Sequence, residues 1–297
     1  MVAANTWVES WTAAATGPSG FYRTQSPYAH FTTSVLDGSL AHSLQPVLEQ
    51  ALRDCGQITV VDVGAGDGDL LMQLGAALPS AERNRVRWIA LDLQARPSQL
   101  PDHIEWLPGQ VQGNLGALTP ADGLLIAHEF LDDVPCPLVE VDESGVPHLV
   151  VCDPRTGQPI PGRPLSTRRD AALLDWLERW WPMTRPLMRG EIGTTRDELW
   201  TELTAWIRIG YAIAVDYAHL KEDRLRGAWD GGTLTGYREG QVVTPAADGR
   251  VNLTAHVALD SVAAAASGNP LTQLRRSGPT PDFWRLVQAY GGLPLPA

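Results

Sequence analysis

The sequence predicts an α/β protein built on a doubly wound, mostly parallel β-sheet. Short apolar runs recur along the chain, and two of them end at an acidic residue. Segments with leucine at helical spacing alternate with these runs, as expected when a helix connects each pair of parallel strands. Ligands of such folds bind at the carboxyl ends of the strands, so the residues that follow each apolar run are the first candidates for function.

The first predicted strand, Ile58 to Val63, leads into a turn with glycine at 64, 66 and 68. Glycine has no Cβ and can adopt φ > 0, so such a turn lets a ligand rest against bare backbone. A helix with an apolar stripe follows, formed by Leu70, Leu71, Leu74 and Leu78.

Acidic residues surround this turn, namely Asp62, Asp67 and Asp69. Neither the G-x-G-x-x-G pattern of a dinucleotide site nor the G-K-[ST] ending of a phosphate loop is present. The carboxylates would repel a pyrophosphate but suit a ligand with an ammonium group and ribose hydroxyls. S-adenosylmethionine (SAM) is such a ligand, and Asp62, Gly64, Gly66, Asp67 and Gly68 are its predicted contacts.

A second predicted strand, Arg87 to Asp92, ends in another carboxylate. An acidic residue at this place in nucleotide-binding α/β folds accepts hydrogen bonds from the ribose hydroxyls. The alternative is that the glycines only form a tight turn and that Asp92 caps a helix. The glycine spacing, the flanking acids and Asp92 together favour the SAM site.

Further strands are predicted at His103 to Leu107, Gly123 to Ala127 and Gly210 to Tyr217, with a helix from Arg196 to Ile207. About 80 residues separate the last two strands, far more than one crossover helix requires.

This long interval predicts an inserted subdomain that covers the active site or holds a substrate. It contains a predicted hairpin (Leu138 to Val141 and Val146 to Val151), a loop (Asp153 to Pro164) and a helix (Thr167 to Trp181). We expect Trp176, Trp180 and Trp181 to pack rather than to contact a ligand. The predicted domains are an N-terminal segment over the active site (1–50), a core (51–135 and 196–297) and the inserted subdomain (136–195).

The segment after the strand that ends at Ala127 is a second candidate for chemistry. Glu129 is the first candidate to orient a nucleophile, followed by Asp132 and Asp133, and His128 could act as a base. The two aspartates could instead cap a helix or face water. Farther along, Thr254 is a predicted N-cap for a helix that continues to residue 266, with His256 in its first turn.

Composition excludes several classes of function. The chain has 297 residues, a formal net charge of −11 and 44% hydrophobic residues, so a buried core is expected and a nucleic-acid partner is not. Cys55, Cys136 and Cys152 are scattered, which predicts neither a disulfide framework nor a metal site. Without an apolar run long enough to span a membrane or a secretory leader pattern, a cytoplasmic protein without a membrane partner is expected.

With these segments identified, the chain resembles the MidA-like family of SAM-dependent methyltransferases over most of its length. The family includes a mitochondrial complex I assembly factor that methylates a protein arginine. The similarity is carried by the glycine turn and by matches to the family's signatures, namely Gly20-Phe21-Tyr22-Arg23, His30-Phe31-Thr32-Thr33-Ser34, Glu129-Phe130-Leu131-Asp132, Asp216-Tyr217, Gly232-Thr233-Leu234 with Tyr237-Arg238, Thr254-Ala255-His256-Val257 and Thr272-Gln273.

The chain departs from the family pattern at four positions. His128 replaces an asparagine, Asp133 an alanine, and Asn252 and Ala258 each an aspartate. These positions lie in the region that the resemblance assigns to the substrate.

The resemblance implies a Rossmann-like class I methyltransferase core. It implies Thr33 and Ser34 as further cofactor contacts, within a segment from Phe21 to Ser34 that folds over the cofactor or the substrate entrance. It also implies a set of substrate-binding residues, namely Tyr22, Phe31, Asp133, Asp216, Tyr217, Tyr237, Arg238 and His256.

The function expected from the sequence is methyl transfer from SAM to a nitrogen of a protein or peptide, with arginine among the candidates. One alternative is a small molecule or natural product as the acceptor. Another is a non-catalytic assembly factor that binds SAM. The sequence does not indicate an oligomeric state.

Overall fold

The computed structural model describes residues 5–25, 35, 37–116, 118–278 and 280–296. The chain divides into two compact units. The accessory unit comprises Met1–Phe31, Asp132–Glu198 and Tyr217–Val262, and the core unit comprises Thr32–Leu131, Leu199–Asp216 and Ala263–Ala297.

The described residues form the following elements. The helices are α1 (Trp7–Thr16), α2 (Phe21–Thr24), α3 (Ser39–Cys55), α4 (Asp69–Ala77), α5 (Ser80–Arg83), α6 (Val111–Leu115), α7 (Thr167–Trp180), α8 (Thr194–Thr204), α9 (Lys221–Leu225) and α10 (Leu259–Ala265). The strands are β1 (Ile58–Val63), β2 (Val86–Asp92), β3 (Ile104–Pro108), β4 (Ala121–His128), β5 (Leu138–Val141), β6 (Pro147–Cys152), β7 (Pro159–Pro164), β8 (Arg189–Glu191), β9 (Ile207–His219), β10 (Thr235–Arg238), β11 (Gln241–Val243), β12 (Asn252–Thr254), β13 (Val257–Ala258), β14 (Leu271–Arg276) and β15 (Phe283–Tyr290).

The core unit is built on a sheet with the strand order β14-β15-β9-β4-β1-β2-β3. Strands β9, β4, β1, β2 and β3 pair with one another in parallel, whereas β14 and β15 form an antiparallel pair. Every residue of β1 is buried, as expected for a central parallel strand covered on both faces. This architecture confirms the predicted α/β class.

The register of the sheet places three candidate segments side by side. Val63 of β1 is paired with Leu91 of β2 and with Ala127 of β4. The glycine turn, Asp92 and His128 therefore leave the sheet at neighbouring points of its carboxyl edge.

The accessory unit contains two antiparallel sheets, with the strand orders β7-β6-β5-β8 and β11-β10-β12. The predicted hairpin is present as β5 and β6. Two apolar clusters stabilise the unit, one around the fully buried Trp7 and Trp11, the other around Trp176 and Trp181 of the predicted insertion. Trp180 is partly buried against the second cluster, so the expectation that these tryptophans pack is confirmed.

Two local predictions are wrong. The predicted loop from Asp153 to Pro164 contains the strand β7, which pairs with β6 despite its prolines. Thr254 does not cap a helix, because it belongs to β12 and pairs with Thr235 of β10. The helix α10 begins only at Leu259, so His256 lies in the connection between two short strands.

The accessory unit is larger than the predicted insertion. It takes in residues 1–31 and 217–262 as well as all of 136–195, and the chain passes into it between Leu131 and Asp132. The packing of α1 on β6 and β12 joins these distant segments.

None of the described helices has the length and hydropathy needed to cross a membrane. Within the described ranges, no group of three or more histidine, cysteine or acidic side chains is arranged to hold a metal ion.

Candidate active site

The glycine turn of the core unit requires its glycines. Gly64, Gly66 and Gly68 have φ values of +73°, +57° and +82°, which side chains rarely adopt. A Cβ on Gly64 would lie 2.7 Å from Cδ2 of Phe130, and one on Gly68 would lie 2.5 Å from Cδ1 of Leu100. The chain can make this turn at the end of β1 only without side chains at these positions.

Asp92 ties the second strand to this turn. Its Oδ2 accepts a hydrogen bond from the backbone N–H of Gly66 (2.9 Å), and its Oδ1 accepts one from Gln94 (2.8 Å). Burial nevertheless raises the pKa of this carboxyl. Asp92 does not cap a helix through these bonds, and its predicted role toward the ribose stays a prediction.

Asp62 is a buried carboxyl beside the turn, with 3% of its surface exposed. Burial, and then the charge of Asp92, raises its pKa to about 7. Burial also raises the pKa of Asp67, with a further contribution from Asp69. Among the described residues, neither Asp62 nor Asp92 forms an ion pair.

This set of donors and acceptors fits SAM. Carboxyls whose pKa is raised by burial and by each other gain from a ligand that brings positive charge. The bare backbone of Gly64, Gly66 and Gly68 and the carboxyls of Asp62 and Asp92 are the residues that would hold the cofactor.

Glu129 follows β4 in a strained backbone conformation. Its φ is +45°, although it is not a glycine, and its N–H donates to the carbonyl of Val215 (2.8 Å) on the neighbouring β9. Nonglycine residues held at positive φ cost free energy and cluster at functional sites. The strained backbone therefore makes the Glu129 side chain a candidate functional group.

The Glu129 side chain contacts the residue before it. Oε1 of Glu129 lies 3.0 Å from Nε2 of His128, and the His128 ring packs edge-on against Phe283 at a centroid distance of 6.3 Å. The histidine that departs from the family pattern therefore contacts the predicted catalytic carboxylate directly.

Asp216 has a structural contact in the core unit. The carboxylate is fully buried, and its Oδ2 accepts the backbone N–H of Leu131 (2.8 Å). This bond fixes the segment that follows Glu129. The predicted contact of Asp216 with the substrate stays a prediction.

In the accessory unit, Tyr22 lies next to two positions at which the chain departs from the family pattern, Asn252 and Asp133. The Tyr22 hydroxyl donates to Oδ1 of Asn252 (2.8 Å), and Nδ2 of Asn252 lies 3.5 Å from Oδ1 of Asp133. Burial, and then the charges of Asp133 and Asp132, raises the pKa of Tyr22 well above its usual value. Asp132 is only 6% exposed and Asp133 is half-buried, so neither simply faces water.

A group of aromatic rings forms a second feature of the accessory unit. Tyr217 and His256 stack at a centroid distance of 5.8 Å, and Trp229 meets His256 edge-on at 5.0 Å. All three are half-buried, and the buried His219 lies behind them, 5.7 Å from Trp229. Burial, and then Arg224, lowers the pKa of His219 well below its usual value, so this ring is neutral.

Tyr217 and His256 were predicted from the sequence, and the structure brings them together. Trp229 and His219 were not predicted, because neither lies at a distinctive spacing. Tyr237 is half-buried and Arg238 is exposed on the short strand β10. The predicted contacts Phe31, Thr33 and Ser34 lie outside the described residues.

The segment Gly231 to Leu234 wraps around the carboxylate of Glu191, a residue that the sequence analysis did not identify. The backbone N–H groups of Thr233 (2.8 Å) and Leu234 (3.1 Å) donate to Oε1 of this buried carboxylate. The Thr233 hydroxyl donates to its Oε2 (3.2 Å) and accepts the N–H of His256 (2.8 Å). This segment therefore supports His256 through the Thr233 hydroxyl, which accepts the backbone N–H of His256.

Comparison with known proteins identifies the class. Residues 39–276 match a family model described as "Putative S-adenosyl-L-methionine-dependent methyltransferase". The match covers well over half of the chain. No curated protein sequence gives a significant match.

Two solved structures share the fold. A COG1565 superfamily member from Burkholderia thailandensis, bound to S-adenosylhomocysteine, is 21% identical over 90% of this chain and 73% of its own, with a TM-score of 0.69. An uncharacterised COG1565 superfamily protein from the same organism is 18% identical over 96% of this chain and 87% of its own, with a TM-score of 0.74. The chain thus belongs to the MidA-like family and is a SAM-dependent methyltransferase.

Proposed function

We propose that this methyltransferase acts on a nitrogen of a protein or peptide, and that the guanidinium group of arginine is the acceptor it suits best. The observation that carries the proposal is the Glu129 carboxylate, held by a strained backbone and a histidine contact in the unit that contains the glycine turn.

SAM, when bound, supplies an electrophilic methyl group on a sulfonium. Methyl transfer is an in-line displacement, so the protein contributes mainly by orienting the acceptor and by placing charge. Because Nε2 of His128 contacts Oε1 of Glu129, we assign Oε2 to accept a hydrogen bond from the acceptor N–H. A guanidinium needs help to lose its proton, and we assign Glu129 to take it, with His128 next in line.

The accessory unit, considered by itself, also carries groups that suit a guanidinium. Paired carboxylates such as those of Asp132 and Asp133 can bind the N–H fork of arginine in bidentate fashion. The stacked rings of Tyr217 and His256 suit its flat face. Both features support an organic cation over an anionic acceptor.

A methyl-incorporation assay tests this proposal. The purified protein is incubated with SAM labelled in the methyl group and with a cell extract, and the products are separated by size. Label in macromolecules, recovered as methylarginine after acid hydrolysis and lost with Glu129→Gln, is the expected result. Label confined to small metabolites would contradict the protein acceptor and favour a small molecule.

A further inference from the structure

We propose that Arg196 is a positioning residue of the methyl-transfer reaction. Its side chain fixes the backbone of the two segments that carry Asp132 and His256. This inference rests on the proposed function insofar as these segments bind the acceptor.

The guanidinium of Arg196 donates to three backbone carbonyls. Nη2 donates to Asp132 (2.9 Å), Nε to Val134 (3.0 Å) and Nη1 to His256 (3.0 Å). Only 1% of the Arg196 surface is exposed. One side chain thus joins residues 132–134 to residue 256, which are distant in the sequence but lie within the same unit.

Neighbouring bonds complete this arrangement. The N–H of Ala255 donates to the carbonyl of Asp132 (3.0 Å), so this oxygen accepts two hydrogen bonds. The N–H of His256 donates to Thr233, while its carbonyl is held by Arg196. Both polar backbone atoms of His256 are therefore held by hydrogen bonds, which fixes the backbone position from which its ring extends.

Arg196 positions backbone carbonyls through hydrogen bonds and, among the described residues, forms no direct ion pair or salt bridge. Burial raises the pKa of the Glu191 and Asp197 carboxyls, and the charge of Arg196 opposes part of that rise. Burying a cation is costly, and the planar fork of arginine can reach three carbonyls in fixed directions. Lysine would keep the charge but could not reproduce this pattern.

The test compares Arg196→Lys with a matched control, Arg285→Lys. Arg285 is similarly buried, at 3% exposure, and its Nη2 donates to the Ser43 hydroxyl in the core unit. For Arg196→Lys we expect kcat to fall about 10- to 100-fold, as is typical of a small misplacement of reacting groups. The affinity for SAM should stay within about twofold, and the control should keep its kcat.

Hydrogen exchange supplies a readout that needs no acceptor. In Arg196→Lys, peptides covering residues 130–135 and 252–257 should exchange faster, whereas those of β1 and β4 should not change. Guanidinium ion added at non-denaturing concentration should restore part of the activity of Arg196→Ala but not of Arg285→Ala.

Two results would overturn the inference. One is an Arg196→Lys protein with wild-type exchange in both segments. The other is an Arg196→Ala protein that binds SAM stoichiometrically, has lost activity and is not rescued by guanidinium. If the wild-type protein methylates only small metabolites, the protein-acceptor proposal fails, and the exchange experiment still decides the role of Arg196.

Discussion

Two glycine turns, one in each unit, donate backbone N–H groups to a carboxylate. The charges that surround the two carboxylates differ. In the core unit, Gly66 donates to Asp92, whose neighbour Asp67 adds negative charge and raises its pKa further. In the accessory unit, Thr233 donates to Glu191, and Arg196 offsets the negative charge there. A cationic ligand would stabilise the negative charge of Asp92. The negative charge of Glu191 is already offset by Arg196, so Glu191 supports the fold. Glycine spacing alone therefore does not define a ligand site.

The largest expected effect concerns the chemistry beside the first turn. Glu129→Gln should lower turnover about 10²- to 10⁴-fold, because an amide can neither take the proton nor hold the cation. The affinity for SAM should change less than about twofold. Steady-state kinetics together with calorimetry check both values.

A control for this substitution is Glu105→Gln, which makes the same chemical change in an exposed ion pair with Arg87. It should leave turnover unchanged. Wild-type turnover in Glu129→Gln would remove this residue from the mechanism.

The acidic surroundings of the first turn predict a pH dependence of cofactor binding. The pKa of Asp62 is about 7 in the free protein, and a bound cation favours the ionised form. The affinity for SAM should therefore rise with pH, by up to about tenfold per unit below pH 7, and level off above it.

Calorimetry in buffers with different ionisation enthalpies should detect proton release when SAM binds near pH 6.5. Asp62→Asn should flatten the pH dependence. A wild-type affinity that falls with rising pH would contradict this account of the electrostatics.

Alanine substitutions at Gly64 and Gly232, two glycines with similar φ values, distinguish a turn that binds a ligand from a turn that only stabilises the fold. Gly64 and Gly232 have φ values of +73° and +74°, so alanine should cost each variant about 1–3 kcal/mol of unfolding free energy. Only Gly64→Ala should also weaken SAM binding, by about tenfold, since that turn is the one predicted to contact the cofactor. Equal loss of SAM affinity in both variants would break the distinction between the two turns.

The smallest effect expected is on stability in the accessory unit. Oδ2 of Asp197 accepts from Trp176 (2.8 Å) and Ser261 (2.5 Å), and burial raises its pKa to about 6. Because the folded state holds this proton more tightly than the unfolded state, stability should fall as the pH rises from about 4 to about 6. Asp197→Asn should remove that fall, seen as a Tm shift of a few degrees. A wild-type Tm that rises over this interval would argue against it.

The sequence predicted those parts of the fold that depend on local patterns. The strands β1, β2 and β4 are mostly apolar runs. The turn after β1 is marked by glycines, which adopt the positive φ values found there. The strand β7 was missed because its prolines are typical of a loop, although it pairs with the preceding β6. The position of Thr254 was missed because its pairing with β10 decided it. A proline-rich segment paired with β6 has no local signal.

Sequence analysis identified those candidate site residues whose type is itself informative at their position. The carboxyls around the glycine turn and Glu129 were identified because an acid after an apolar strand is informative. Glu191 and Arg196 were missed, since their partners are backbone atoms of residues distant in the sequence. No spacing rule indicates a contact between a side chain and a remote carbonyl.

The most direct test of the central claim is calorimetric titration with SAM and S-adenosylhomocysteine of three proteins: wild type, Asp92→Asn and Glu191→Gln. Each substitution replaces one buried carboxylate that accepts backbone N–H groups of a glycine turn. We expect Asp92→Asn to weaken binding by at least about tenfold, because the Asp92 carboxylate is predicted to bind the ligand, whereas Glu191→Gln should stay within about twofold. Unchanged binding in Asp92→Asn, or an equal loss in both variants, would contradict the central claim.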